Sequence, residues 1–265
     1  MKRPLDQLAE IARTAVGIGN DLIKNARPQK VSEKADRDTY TDVDVRIERR
    51  IRSFLADTTP DIDFLGEEEG HSSQTTDSKH FWALDPIDGT ANFTHDLPFA
   101  AVQISLIIED SPVVAAVALP FWNKIYWATS GGGAYANGEP IRVSTTTQTR
   151  KAIVSIGDYA VGDGAQEKNK KRLAVTGKLA HQVERIRMFG SAAHDFVWLA
   201  EGRLDGVIIL SNQIVDVAAG ALIAKEAGGA ILDSSGNQYS TSSIDVVAAG
   251  PNLIEAMLSI AKTSE

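Results

Sequence analysis

The segment Phe81-Trp82-Ala83-Leu84-Asp85-Pro86-Ile87-Asp88-Gly89-Thr90-Ala91-Asn92-Phe93 decides how the rest of the chain is read. Its apolar opening, Phe81 to Leu84, reads as a buried strand that ends at Asp85. Asp85 and Asp88 then flank Pro86-Ile87 and run into Gly89-Thr90. Carboxylates crowded at a strand end repel one another unless cations lie between them, and hard divalent ions such as Mg²⁺ prefer all-oxygen ligands. The backbone N–H groups of Gly89 and Thr90, with the threonine hydroxyl, suit a phosphate bridging such ions. The plainer reading, which the segment alone leaves open, is a surface Asp-Pro turn closed by a glycine.

Composition narrows the function classes. The chain has 265 residues, enough for one large domain or two packed halves. Its net charge of −8 argues against general nucleic-acid binding, because no basic excess is present to neutralise phosphates. A small phosphorylated substrate stays compatible if metal ions reverse the local charge. With no cysteine, disulfides, zinc–thiolate sites and thiol nucleophiles are excluded. The start carries a basic pair without a signal-type apolar core, and no apolar run has membrane-spanning length, so a cytoplasmic protein is expected.

Outward from the central segment, apolar residues at helical spacing predict a helix over 5–26, stopped by Pro28. Lys30 to Thr41 reads as a loop or short hairpin. Val43, Ile47, Ile51, Phe54 and Leu55 mark a second helix, with Arg46, Glu48, Arg49, Arg50 and Arg52 on its wet side. Thr41-Asp42-Val43-Asp44 has the chemistry of a helix start, so either acid taken alone reads as a cap or first-turn residue. Asp63 to Gly66 is a short strand, Glu67-Glu68-Glu69 a solvated loop, and His71 to His80 a polar low-complexity stretch. Strands are expected at 100–108, 113–119, 125–128 and 141–143, with Asn137-Gly138 as a hairpin turn. The glycine run at 131–133 is a tight turn, since no helix follows it, and neither a P-loop nor a nucleophile elbow occurs. The second half alternates strands at 152–156, 186–190, 204–210 and 246–249 with helices at 164–181, from Ser191, from Val215 to Ala227, and at 251–262. That rhythm implies helices layered on a largely parallel or mixed sheet. The division between halves falls in the Thr-rich stretch 144–151, giving units 1–146 and 147–265.

In order along the chain stand an acid at a helix start, G-E-E, W-x-L-D-P-x-D-G-T-x-N-F, G-S-A-A and D-V-A-A-G. This series resembles the inositol monophosphatase family of Mg²⁺-dependent, lithium-sensitive phosphatases, from about residue 5 to residue 250. The haloacid dehalogenase type wants acids two apart, and here they are three apart at 85 and 88. The resemblance implies a layered αβαβα sandwich of the sugar-phosphatase type, a mixture of α/β and α+β character. It also implies two to three Mg²⁺ ions, a small phosphorylated substrate and a homodimer.

Position by position, it implies metal ligands at Glu67, Asp85, the Ile87 carbonyl, Asp88 and Asp216. Gly89 and Thr90 match the phosphate-binding helix start, and Asp44 the acid that pairs with the threonine hydroxyl to orient water. Ser191 and Ala192 match a substrate-facing segment, and Asp88 also a substrate-hydroxyl contact. Asp38 and Lys34 fall near further family positions. Two departures stand out: Val215 replaces a tryptophan, and Ile209 replaces a glutamate that contacts inositol hydroxyls, with Ser211 and Asn212 as polar neighbours. Inositol phosphate is the leading substrate, with histidinol phosphate, fructose 1,6-bisphosphate or a nucleotide as alternatives. A non-catalytic phospholigand-binding protein is the reading from another class. His71, His80, His95, His181 and His194 form no H-x-x-x-H pair and read as surface or packing residues, His194 being the candidate for substrate contact. The basic run Lys168–Arg172 reads as a solvated helix face.

Overall fold

Helical periodicity at the start of the chain produces α1 (Leu5–Asn25), whose buried stripe runs from Leu8 through Ala12, Ala15, Val16 and Gly19 to Ile23. In this computed structural model residues 3–71, 79–211 and 213–262 are described; Asn212 and most of the polar stretch between His71 and His80 lie outside them. Of the loop or short hairpin expected before the second helix, the structure has the hairpin, formed by β1 (Val31–Ala35) and β2 (Asp38–Thr41). It leads into α2 (Asp42–Thr58), which opens on a capping box between Thr41 and Asp44.

Eight strands then build one sheet in the order β10-β9-β8-β7-β6-β5-β3-β4. They are β3 (Asp63–Gly66), β4 (Gly70–His71), β5 (His80–Asp88), β6 (Ala101–Ile108), β7 (Ser111–Leu119), β8 (Lys124–Thr129), β9 (Gly133–Ala136) and β10 (Glu139–Pro140). The short helix α3 (Thr90–Thr94) follows β5. This sheet is mixed, as the alternation allowed, and mostly antiparallel, since only β3 and β5 run parallel. The reason is local. Glu109 and Asp110 both take positive φ, 46° and 63°, as in the mirror-image turns that fold a chain straight back into an antiparallel partner. The strand expected at 141–143 is extended chain outside any ladder: the Ile141 N–H bonds to Ala134 and the Val143 N–H to Ala227.

The second half forms a mixed five-stranded sheet, β12-β11-β13-β15-β14. Its elements are β11 (Ile153–Ile156), α4 (Ala165–Gln182), β12 (Arg185–Arg187), α5 (Ala192–Ala200), β13 (Gly206–Ile209), α6 (Ile214–Glu226), β14 (Ala230–Leu232), β15 (Val246–Ala249) and α7 (Ile254–Ala261). Three apolar clusters stack these parts. Helices α1 and α2 cover one face of the large sheet. Helices α5 and α6 fill the space between the two sheets, packing on Val117 and Tyr126 on one side and Val207 and Val246 on the other. Helices α4 and α7 close the far face of the small sheet. The result is the layered αβαβα sandwich that the resemblance implied.

Candidate active site

The decisive segment does not stop at Asp85. Strand β5 continues to Asp88, but pairing with β6 passes from Asp85↔Gln103 to Asp88↔Ala101, so β5 carries one residue more than its partner. Pro86, which cannot donate to a ladder, sits in this bulge. The irregularity re-aims the side chains around it, and both Asp85 and Asp88 end up buried. Ile87 turns its side chain into the core, and its carbonyl accepts from the Thr90 hydroxyl at 3.0 Å.

Carboxylate oxygens of Glu67, Asp85 and Asp216 converge within 4.8 Å of one another. Three elements supply them: the turn after β3, strand β5 and the first turn of α6. Burial drives the Asp85 and Asp216 carboxyls well above the usual range, and repulsion from Glu67 and Asp88 adds to it. Asp85 Oδ1 is buried without a hydrogen-bond partner among the described residues. An all-oxygen set with an orphaned carboxylate oxygen fits a hard divalent cation. Asp88 stands beside this trio, and its Oδ2 accepts from Ser191 Oγ at 2.8 Å and from the Ala193 N–H. Burial lifts its carboxyl to about 7 against those two bonds.

Glu67 is placed by a residue that the sequence reading put on the wrong face. Glu48 is fully buried, and its carboxylate accepts from the N–H groups of Glu68 at 2.8 Å and Glu69 at 3.0 Å. A Cβ on Gly66 would stand 2.2 Å from that carboxylate, so glycine there lets the acidic turn close over α2. Lys34, from the β1–β2 hairpin, bridges Glu67 and Glu68 at 2.6 and 2.7 Å. Burial opposes the Lys34 charge, yet the two glutamates raise its pKa overall. Burial pushes Glu68 to about 7. The turn is therefore only partly solvated. Asp38, at the start of β2, is exposed, and its charge reaches Asp216.

The expected pairing of Asp44 with Thr90 is present. Thr90 Oγ1 lies 3.2 Å from Asp44 Oδ1, while Asp44 Oδ2 accepts from the Thr41 hydroxyl and N–H. Asp44 thus serves as a cap and as a partner for Thr90 at once, and burial lifts its carboxyl to about 6 despite those bonds. Gly89 takes φ 88°, and a Cβ there would lie 2.5 Å from the Phe99 carbonyl. The turn into α3 therefore needs glycine on two counts.

Ser191 and Ala192 line a cleft of about 770 Å³ together with Asp88 and Asp216. His194 is not among the residues that line this cleft. It is fully buried beside Phe99 and Trp198, and its Nδ1 pairs with Ser191 Oγ at 2.8 Å. Because Ser191 gives its own proton to Asp88, that imidazole nitrogen is the donor. Burial drives the His194 pKa down to about 3, so the ring stays neutral. The solvated face expected at Lys168–Arg172 also needs correction, for Arg172 is only 5% exposed and lines the same cleft. Arginine usually prefers solvent, and the packing of α4 overrides that preference here.

Comparisons with known proteins place the chain in a family. The model of the Inositol monophosphatase family matches residues 4–265. The chain is 31% identical to the fructose-1,6-bisphosphatase/inositol-1-monophosphatase of Aquifex aeolicus, over 97% of this chain and 96% of that protein. It is 32% identical to inositol monophosphatase 1 of Solanum lycopersicum, over 98% and 97% of the two chains. Among solved structures, the extragenic suppressor protein suhB from Bartonella henselae superposes with a TM-score of 0.85 at 29% identity, covering 97% of this chain and 98% of that one. Fold, motif order and matches over nearly the full length agree: the chain belongs to the inositol monophosphatase family of phosphoric monoester hydrolases.

Proposed function

We propose that the chain hydrolyses a small polyol or sugar-like phosphate, inositol monophosphate first among them, with two to three Mg²⁺ ions held by Glu67, Asp85, the Ile87 carbonyl, Asp88 and Asp216. The observation that carries this reading is the convergence of Glu67, Asp85 and Asp216 with an orphaned oxygen on Asp85. When bound, Mg²⁺ offsets phosphate charge, makes water more acidic and stabilises a leaving alkoxide. The protein's own groups set direction and position. Thr90 accepts a hydrogen bond from the attacking water while its hydroxyl turns to Asp44, whose raised pKa suits it to take up proton density near neutral pH. The Gly89 and Thr90 amides, which open α3 without acceptors inside the helix, hold phosphate oxygens. Asp88, steadied by Ser191 and Ala193, has its other oxygen left for a cation or a substrate hydroxyl, and Ala192 lines the wall beside it.

Residues 1–146 and 147–265 act in this reading as two units meeting at the site, the second supplying Asp216. The enzyme works as a cytoplasmic homodimer without nucleic-acid or membrane partners, and Li⁺ inhibits it. Among the described residues no helix is long and apolar enough to cross a membrane. Phosphate release is the test, measured with Mg²⁺ over inositol phosphates, histidinol phosphate, sugar phosphates and nucleotides, with and without Li⁺. Activity lost in excess EDTA and restored by Mg²⁺ supports the reading. Full turnover in EDTA refutes the metal assignment, and release from no ester favours a phospholigand-binding protein.

A further inference from the structure

Helix α2 leaves one face uncovered, and Arg46, Arg49, Arg50 and Ser53 stand exposed along it at helical spacing. Together with Lys30, and with Ser32 and Tyr40 of the β1–β2 hairpin, they line a groove of about 540 Å³. This groove shares no lining residue with the cleft that holds Asp88 and Asp216. Its charge is one-sided. Among the described residues Asp42 is the one acid along it, and Asp42 Oδ1 already accepts from the Gln29 and Lys30 N–H groups at 2.8 and 2.9 Å.

A solvated basic face ordinarily places an acid one turn from each cation. Here Arg46 and Arg50 are like charges four residues apart, an arrangement that costs helix stability, in a chain whose net charge is −8. Neither reaches a carboxylate within ion-pair distance among the described residues, and Arg46 acts on Asp42 only at longer range. Arg49 gives Nε and Nη2 to one oxygen of Glu69, at 2.8 and 2.7 Å, and its Nη1 has no partner among the described residues. The hydroxyls of Ser32, Tyr40 and Ser53 add donors that meet no acceptor among those residues. Donors therefore outnumber acceptors along the groove. Its volume suits a small molecule, and the helix rises about 10 Å from Arg46 to Ser53. A longer polyanion would run on into a surface of net negative charge. Several phosphate groups on one short chain satisfy both limits and match the forked donors of arginine.

We propose that this groove is a binding site for an oligophosphate, free or carried on a nucleoside, with Arg46 and Arg50 as its main contacts. The site stands apart from the catalytic acids and does not depend on the phosphomonoesterase reading. Calorimetric titration of the full chain, stripped of metal, tests it with tripolyphosphate, ATP and inorganic phosphate as probes. Without Mg²⁺ the acids of the cleft repel phosphate, so binding to the metal-free chain reports the groove. One site per chain is expected, with tripolyphosphate held at least roughly tenfold more tightly than inorganic phosphate. Arg46→Ala and Arg50→Ala should each weaken tripolyphosphate roughly tenfold or more, the size of a charge-assisted contact. Both side chains are exposed, so neither variant should disturb the fold. Arg185→Ala, at an exposed cation of β12 outside the groove, should change nothing. ATP bound more tightly than tripolyphosphate marks a nucleotide site, and equal affinity marks a site that reads phosphate alone. No binding of any probe overturns the proposal. So does binding that survives both groove substitutions, or that Arg185→Ala weakens as much.

Discussion

Gln103 stands opposite Asp85 in the β5–β6 ladder and donates from Nε2 to the main-chain carbonyl of Asp216 at 2.9 Å. One fully buried side chain thereby ties the first turn of α6 to the strand that carries the central acids. Gln103→Met keeps the volume and removes the tie. The expected result is a loss of about 1–2 kcal/mol of stability and a roughly tenfold rise in the Mg²⁺ concentration for half-maximal activity. Thermal melts and metal titrations of the rate check this. A variant with unchanged metal dependence would show that α6 is positioned by packing alone.

Thr90→Ala should lower kcat by about 10², the scale of one positioned proton-transfer group, without shifting the Mg²⁺ requirement. Thr90→Ser restores the hydroxyl and should recover most of the rate. Asp88→Asn should instead leave the protein folded while removing most of kcat at saturating Mg²⁺. Steady-state kinetics over a metal series separates the two. Equal effects of both substitutions on metal dependence would contradict the division of roles.

Metal-free stability should fall as pH rises. Asp44 and Asp88 have carboxyls lifted from 3.8 to about 6 and about 7, and Asp85 and Asp216 are raised as well. Between their unfolded and folded values the native state binds more protons than the unfolded chain. Stability present below pH 3.8 is therefore lost as pH rises through about 7. Asp42, Asp61, Glu69 and Asp233 are shifted downward and act in the acid range below about pH 5. His194, lowered from 6.5 to about 3, opposes the four raised carboxyls up to pH 6.5 without outweighing them. In EDTA, melting at pH 5 should exceed melting at pH 8, and Mg²⁺ should raise the pH 8 value more. A metal-free Tm that climbs across this range would refute the account.

His194 should not titrate between pH 5 and 9, because burial holds its pKa at about 3. Its ring resonances, followed by NMR, are the direct measurement. His194→Phe fills the aromatic pocket but frees the Ser191 hydroxyl, and should lower kcat several-fold with little change in KM. A KM effect without a kcat effect would restore the idea of substrate contact.

Most of the local structure could be read from the chain, since periodicity and capping chemistry act within a few residues. The capping box at Thr41–Asp44 is an instance, and so is the glycine at 89. Sequence alone places Glu48 on the wrong face, because its partners, the amides of Glu68 and Glu69, are 20 and 21 residues away and invisible to helical periodicity. Val143 reads as a strand residue because the segment 141–143 is strand-like in composition. Its backbone bond goes to Ala227, which only the packed fold supplies.

Residue type and short spacing are enough to set the family, the order of the acidic motifs and the need for a turn at Asp85–Thr90. Packing brings about the rest: β5 runs on through a bulge to Asp88, Gln103 draws Asp216 to Asp85, and Arg172 lines the cleft beside them. These depend on how two sheets pack around α5 and α6. The segment from Phe81 to Phe93 names the chemistry, and residues brought in from more than a hundred positions away give it geometry.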